Sequence, residues 1–281
     1  MKHLNWTSAM LALAVLASCT PSPKEIRVTN YQYADSTAHA DFSLFVDLPV
    51  AAKGAAGAIR DGVIELIDSQ LGYINSFEGD RVIPAFSGDR ADDAALIGYY
   101  RAKAVEAVED SAAEDARERA SYIEEDEDMT PEEKAEALSY APRWEYDFSI
   151  SKVSETPRYI VFLSEDFTYL GGAHGGVTGA GYVTFDKRDG SRFEDFLRDG
   201  CVEELQPLFR RELEDYLDDL FIEDGIIPLP VWAPYPTDEG LGFIYQQYEI
   251  APYAMGMPGF VIPYDEIRPW LTPAARDLLK L

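Results

Sequence analysis

Hydrophobic and polar positions alternate along Glu25-Ile26-Arg27-Val28-Thr29-Asn30-Tyr31, and again over residues 40–50, where Phe42, Leu44, Val46 and Leu48 share one face. A period of two marks a half-buried strand, so two strands are predicted to open the chain. Gly54 to Gly57 interrupts the pattern. From there Ile59, Val63, Ile64, Leu66, Ile67, Leu71 and Ile74 recur at helical spacing, which predicts a helix with one apolar stripe. Residues 91–139 differ in character, rich in Ala and Glu and poor in branched residues. Within them Thr130-Pro131-Glu132-Glu133 places a capping threonine, a first-turn proline and a glutamate three residues on, the signature of a helix start. Two helices are predicted there, as an insert or side arm.

Strand patterning returns at residues 144–150 and 159–164, and Phe167 to Leu170 leads into Gly171-Gly172-Ala173-His174-Gly175-Gly176. Residues 181–186 form a further strand, and Asp189-Gly190 turns the chain into Ser191-Arg192-Phe193, a hairpin signal. A long helix is predicted over residues 202–221, with Leu205, Leu208, Phe209, Leu213, Tyr216, Leu217 and Leu220 on one face. Residues 241–262 read as aromatic-rich strand broken by Gly and Pro, and Pro263-Tyr264-Asp265-Glu266-Ile267 as a short closing helix. The fold class is therefore α+β: an antiparallel sheet with packed helices. It is arranged as two sequential subdomains, 25–143 and 144–281, with the acidic helical insert (about 91–139) in the first.

The N-terminus adds an address. A short basic head, Met1-Lys2-His3, precedes the apolar run Met10-Leu11-Ala12-Leu13-Ala14-Val15 and ends at Leu16-Ala17-Ser18-Cys19. That is a secretory signal over residues 1–18, too short for a permanent span of roughly 20 apolar residues. Leu-Ala-Ser-Cys matches the bacterial lipobox, so Cys19 is the predicted lipidation site; the alternative is an ordinary secreted protein with a chance cysteine. Residues 19–24, with Thr20-Pro21-Ser22-Pro23, read as an extended tether. Acyl chains contribute about 0.8 kcal/mol per buried CH₂, and several together anchor stably. Membrane attachment is expected through the lipid alone. Thr20 in place of an aspartate points, by analogy with lipoprotein sorting, to the outer membrane of a bacterial envelope.

The formal charge of −27 argues against nucleic acid or an anionic membrane face as a partner and favours cationic ones; a merely solvated surface produces the same acidity. Cys201 is the only other cysteine, so an acylated Cys19 leaves no internal disulfide, and Cys201 reads as an inert buried thiol. The run Glu124-Glu125-Asp126-Glu127-Asp128 lacks the glycine and ligand spacing of a calcium loop. After signal removal only His39 and His174 remain, in no zinc-type pair. No cofactor is implied.

Two stretches are candidates for chemistry. Four glycines flank His174, letting the backbone take positive φ or approach a neighbour closely. One reading is a tight loop between strands whose histidine bonds internally; the other is a binding loop presenting Tyr169, Gly171, Gly172, His174 and Gly175. The aromatic run Phe243, Tyr245, Tyr248, Tyr253 and Phe260 reads as core by alternation, while tyrosines at a strand edge also serve as interface anchors. Tyr245, Tyr248 and Tyr253 are the candidates there. No nucleophile elbow is present; carboxylates are too many to locate a glycosidase pair among them.

Tyr169-Leu170-Gly171-Gly172-Ala173-His174-Gly175, then Tyr182-Val183-Thr184-Phe185-Asp186 and the Gly190 turn, resemble the start of a C-terminal domain found in RsiV-type anti-sigma factors and beside the deacetylase of PdaC-type enzymes. The stretches 238–245 and 248–256, and Val261-Ile262-Pro263-Tyr264, resemble that domain's second signature and its close. The opening strand-strand-helix segment is similar to the PdaC-like partner domain, so the resemblance spans about residues 25–272. It implies an α+β fold with an antiparallel sheet and, from RsiV-type proteins, a lysozyme-binding surface. The sequence departs from the pattern in having no sigma-binding segment, no transmembrane helix and no deacetylase domain. Two hypotheses follow: a non-enzymatic envelope protein binding a lysozyme-like cationic muramidase or a peptidoglycan fragment, or an envelope glycan hydrolase using paired carboxylates.

Overall fold

In a computed structural model, residues 25–51, 53–75, 79–222 and 225–281 are described; the predicted signal, Cys19 and the tether lie outside them. Strands β1 (Val28–Ser36) and β2 (Ala40–Pro49) form an antiparallel hairpin. The chain then crosses through α1 (Gly54–Gly72), α2 (Asp93–Glu125) and α3 (Pro131–Ser139) before β3 (Trp144–Glu155), β4 (Tyr159–Tyr169) and β5 (Val177–Asp186). The five strands make one sheet in sequence order. Every joint is antiparallel except β2 with β3, which run parallel from Ala40↔Trp144 to Val46↔Ile150. A parallel neighbour needs a long crossover, and the helical segment supplies it. The strands on either side of residue 143 are thus paired within one sheet.

Alternation decides the faces. Phe42, Leu44, Val46 and Leu48 of β2, Tyr146, Phe148 and Ile150 of β3, Ile160 and Phe162 of β4, and Val183 and Phe185 of β5 are buried together under the helices. The helix α1 contributes Ile59, Val63, Ile64, Ile67 and Leu71 to that core, and Gly62 lets it press close, since a Cβ there would stand 2.4 Å from the Phe185 ring. The alternate residues of β4, Tyr159 and Val161, face the second core.

That core belongs to a smaller unit. Its sheet is β6 (Tyr235–Pro236), β7 (Gly240–Ile244) and β8 (Gly259–Pro263), packed with α4 (Val202–Glu212), α5 (Tyr264–Ile267) and α6 (Pro273–Leu279). Phe209, Phe243 and Phe260 meet at centroid distances of 5.1 to 5.3 Å. The five-stranded sheet thus carries helices on one face and, along β4 and β5, this unit on the other.

Several boundaries differ from the sequence expectations. The helix expected over 202–221 stops at Glu212 and gives way to a 3-10 helix, Glu214–Asp219. Glu214, Asp215, Asp218 and Asp219 sit where a continued helix would end, and carboxylates oppose the negative end of a helix dipole. Gly54 to Gly57 does not precede α1 but forms its first turn, and β1 runs five residues further than expected, as an edge strand with one solvated face. The closing region adds α6, which begins at Pro273 behind the capping Thr272. The insert is as expected: Thr130 and Glu133 form the reciprocal capping box. The helix α2 buries residues only from Leu96 to Ala112; its last turns and α3 form an arm beyond that contact. Arg119 ties the arm together by donating to the Ala137 carbonyl at 2.8 Å, and Lys134 by donating to that of Glu124 at 2.7 Å.

Candidate functional site

The glycine loop joins β4 to β5 at the end of the sheet that also carries the β1–β2 turn and the start of β3. Two of its glycines have identifiable tasks. A Cβ on Gly171 would lie 2.7 Å from the Pro142 carbonyl oxygen, so this position is pressed against the chain entering β3. Gly172 takes φ +84°, the left-handed region that glycine enters without penalty, and its N–H donates to the Tyr169 hydroxyl at 3.2 Å. The neighbouring Arg143 wraps the β1–β2 turn, donating to the carbonyls of Ala38 and Ala40 at 2.8 Å and to Asp41. That ion pair draws the Asp41 carboxyl down to about 2.

His174 stands exposed on the loop, and its ring bonds to no described residue. The expectation of an internally bonded histidine is therefore not met. The glycines on either side let the loop pack through its backbone, which leaves the imidazole nothing to satisfy.

The second stretch reaches the same place from the C-terminal unit. Beyond β7, Gln246 lies along the open edge of β5, donating to the Ala180 carbonyl at 2.7 Å and accepting from its N–H at 2.9 Å. Gln247 accepts from Thr178 N–H at 2.8 Å. Tyr253 donates through its hydroxyl to the Gly176 carbonyl at 2.7 Å. A Cβ on Gly175 would collide with that hydroxyl at 2.3 Å, so glycine is what admits the tyrosine. Glu249 closes the turn by accepting from the N–H groups of Gln246 and Val231, each at 2.7 Å.

The structure therefore brings Tyr169, Gly171, Gly172, His174, Gly175 and Tyr253 together, with Tyr248 beside them. The Tyr248 ring is 61% exposed and lies 5.8 Å from that of Tyr253, tilted against it. Tyr248 also holds φ +65°, unusual for a bulky residue. Tyr245 does not join them. It is fully buried, with its hydroxyl donating to the Pro228 carbonyl at 2.7 Å, because it continues the inward face of β7 behind Phe243. Phe243 and Phe260 are core as well.

Sequence reasoning missed Gln246, Gln247 and the exposed apolar residues around them. Val177 precedes Thr178, Phe221 N–H donates to the Ile250 carbonyl, and Val231 N–H to Glu249; all three side chains are exposed. The local signal was only a polar pair after an apolar strand, which reads as an ordinary turn. Cys201 is buried, and burial pushes its thiol up, in keeping with an inert role. Among the described residues no three His, Cys, Asp or Glu side chains gather as a metal site, and no helix is long and apolar enough to cross a membrane.

Residues 194–265 match the family model DUF3298, a protein family of unknown function. The match takes in the Gln246–Tyr253 stretch and stops short of the glycine loop. Among solved structures, the chain is similar to a DUF3298 family member from Bacteroides fragilis, at 17% identity and a TM-score of 0.62, covering 92% of this chain and all of that one. It is also similar to a DUF3298 family protein from Pseudomonas aeruginosa PAO1, at 11% identity and a TM-score of 0.54, covering 90% and 97%. Likeness at this identity extends to the fold. No curated protein matches the chain.

Proposed function

We propose that this chain carries a DUF3298-family domain used as a binding module: an envelope protein, lipid-anchored through Cys19, that holds a basic, lysozyme-type protein without catalysing a reaction on it. The observation that carries the reading is the Tyr248–Tyr253 pair. One ring is exposed while the other is tied by its hydroxyl to the glycine loop, so an aromatic anchor stands on a braced support. Tyrosines in such settings dominate interface energetics. The charge of −27 would steer a cationic partner and raise its on-rate. The resemblance to RsiV-type and PdaC-type domains supports the same class of partner, the lipobox supports a lipid anchor, and Thr20 after Cys19 supports its outer-membrane placement.

Calorimetry with lysozyme at low salt and at about 0.5 M salt, where the Debye length is well below its physiological value of about 8 Å, tests the reading. Binding is expected to weaken modestly with salt, and Tyr248→Ala to reduce affinity about tenfold or more, as for a tyrosine hot spot. Complete loss of affinity in the salt arm would reduce the protein to a polyanion. Hydrolysis of cell-wall glycan by the same preparation would overturn the non-enzymatic assignment. Binding to peptidoglycan fragments in place of lysozyme would reassign the partner.

A further inference from the structure

The face of the five-stranded sheet turned away from the helices is covered by the C-terminal unit over Tyr159, Val161 and Tyr182 but left open toward the glycine-loop end. On that open part lies a groove of about 260 Å³, lined by Phe45, Asp147, Ser149, Glu165, Phe167 and Thr178. Strand register orders these side chains into two adjacent rows. Phe45, Ser149, Glu165 and Ala180 stand opposite one another in the first row, and Ser43, Asp147, Phe167 and Thr178 in the second. Each row therefore pairs one phenylalanine with one carboxylate, and the two rows place them in reverse order.

Phe45 on β2 and Phe167 on β4 are two strands apart across the sheet, about 10 Å at the usual strand spacing, and one row apart along it, with Asp147 and Ser149 on β3 between them. The Ser43 hydroxyl donates to Asp147. Glu165 has no hydrogen-bond or ion-pair partner among the described residues. Phe167 is braced from the glycine loop, where a Cβ on Gly176 would fall 2.2 Å from its ring. Thr178, at the far wall, is held by Gln247. Gln247 directly precedes Tyr248, so the groove's far wall is tied to the turn that carries that ring.

The geometry points to this groove as the seat of a cationic side chain, an arginine or lysine projecting from a basic partner protein, and this rests on the partner reading above. Two aromatic walls and two carboxylates suit that occupant. A guanidinium or ammonium group over a ring gains from the ring's quadrupole, and a carboxylate that already has a hydroxyl donor takes a charged donor at its free lone pairs. The aliphatic stem of the same side chain covers the apolar part of the ring surface. An anionic glycan meets Asp147 and Glu165 as like charges, and Glu145 on the same face reinforces them.

The test uses the full chain and a small probe. Backbone amide shifts are followed while an acetylated Gly-Arg-Gly amide is added at millimolar concentration, and in parallel its citrulline counterpart, equal in shape but uncharged. The arginine peptide is expected to shift residues around Phe45, Asp147, Glu165 and Phe167, and the citrulline peptide to leave them unmoved. Glu165→Gln, which keeps the side chain's size, and Phe45→Ala are each expected to weaken the arginine peptide about five- to tenfold. An unchanged thermal midpoint for Glu165→Gln shows that the fold is intact. Equal shifts from both peptides, shifts confined to other surfaces, or shifts from an uncharged cell-wall disaccharide alone would overturn the assignment. Lysozyme binding separates the two readings. If lysozyme fails to bind while the arginine peptide occupies the groove, the partner falls and the groove stands. If lysozyme binds through Tyr248 and the arginine peptide leaves the groove untouched, the groove falls alone.

Discussion

The Gln246 side chain makes with Ala180 the two hydrogen bonds that a neighbouring strand would have made, its amide nitrogen donating at 2.7 Å and its oxygen accepting at 2.9 Å. An edge strand with free N–H and C=O groups invites pairing with another chain. Here a primary amide, the one side-chain group that both donates and accepts in the geometry of a peptide unit, closes the β5 edge and fastens the Tyr248 turn to it.

Replacing Gln246 by Ala leaves both groups of Ala180 without that partner. The expected cost is about 1 to 3 kcal/mol, with faster hydrogen exchange at the Thr178 and Ala180 amides. Gln246→Glu keeps the acceptor but sets a carboxylate against the Ala180 carbonyl, so it should recover little. Thermal unfolding and exchange rates together check this. Unchanged protection at Ala180 in the alanine variant would show that the clip contributes nothing to the edge.

Gly171→Ala tests the seat of the glycine loop. Its Cβ would meet the Pro142 carbonyl at 2.7 Å and that of Arg143 at 2.9 Å, backbone atoms that cannot swing aside. A loss of about 1 to 3 kcal/mol is expected, as for other overpacked positions. Alanine at the exposed His174 should stay within about 0.5 kcal/mol of the parent. Equal effects at the two positions, read as urea midpoints, would show that the loop floats free of β3.

Asp166 lies on the helix-facing side of β4, where a Cβ on Gly179 would touch its carboxylate at 2.7 Å. Burial pushes this carboxyl up from 3.8 to about 6. The folded state thus keeps the proton to higher pH than the unfolded chain. No penalty applies below about pH 4; it grows as pH rises toward 6 and is complete above that value. Asp166→Asn should therefore stabilise the protein at pH 7 to 8 by about 1 to 2 kcal/mol, less than the full shift because the group is only half-buried. The difference should vanish near pH 4. A gain independent of pH between 4 and 8, measured by denaturant unfolding, would assign the effect to packing.

Tyr248→Gly separates stability from binding at one position. The residue holds φ +65°, a conformation that costs an L-residue roughly 1 kcal/mol or more relative to glycine. The ring itself is exposed. The thermal midpoint should therefore hold or rise while lysozyme affinity falls about tenfold or more. A drop of more than about 4 °C, which for a chain of this size exceeds about 1 kcal/mol, would mean that the ring holds the turn.

Residues 40–50 and 144–150 declared themselves as strands through alternation, α1 through its helical stripe, and α3 through the threonine and glutamate of its cap. These are local properties: periodicity and capping are satisfied within a few residues, so no partner is needed to read them. The glycine loop was visible for the same reason, and so were the lipobox and the overall charge. What the chain could not show by itself is which element lies against which. The parallel joint of β2 and β3 spans more than ninety residues of intervening chain, and the Gln246–Ala180 pair is 66 positions apart in sequence. Alternation at Phe243 and Tyr245 says that a face is buried, while the turn at Tyr248 reverses the outcome three residues later. Only tertiary packing placed Tyr245 in the core and Tyr248 in solvent. Burial is a property of the neighbours a side chain meets, and those neighbours come from distant parts of the chain.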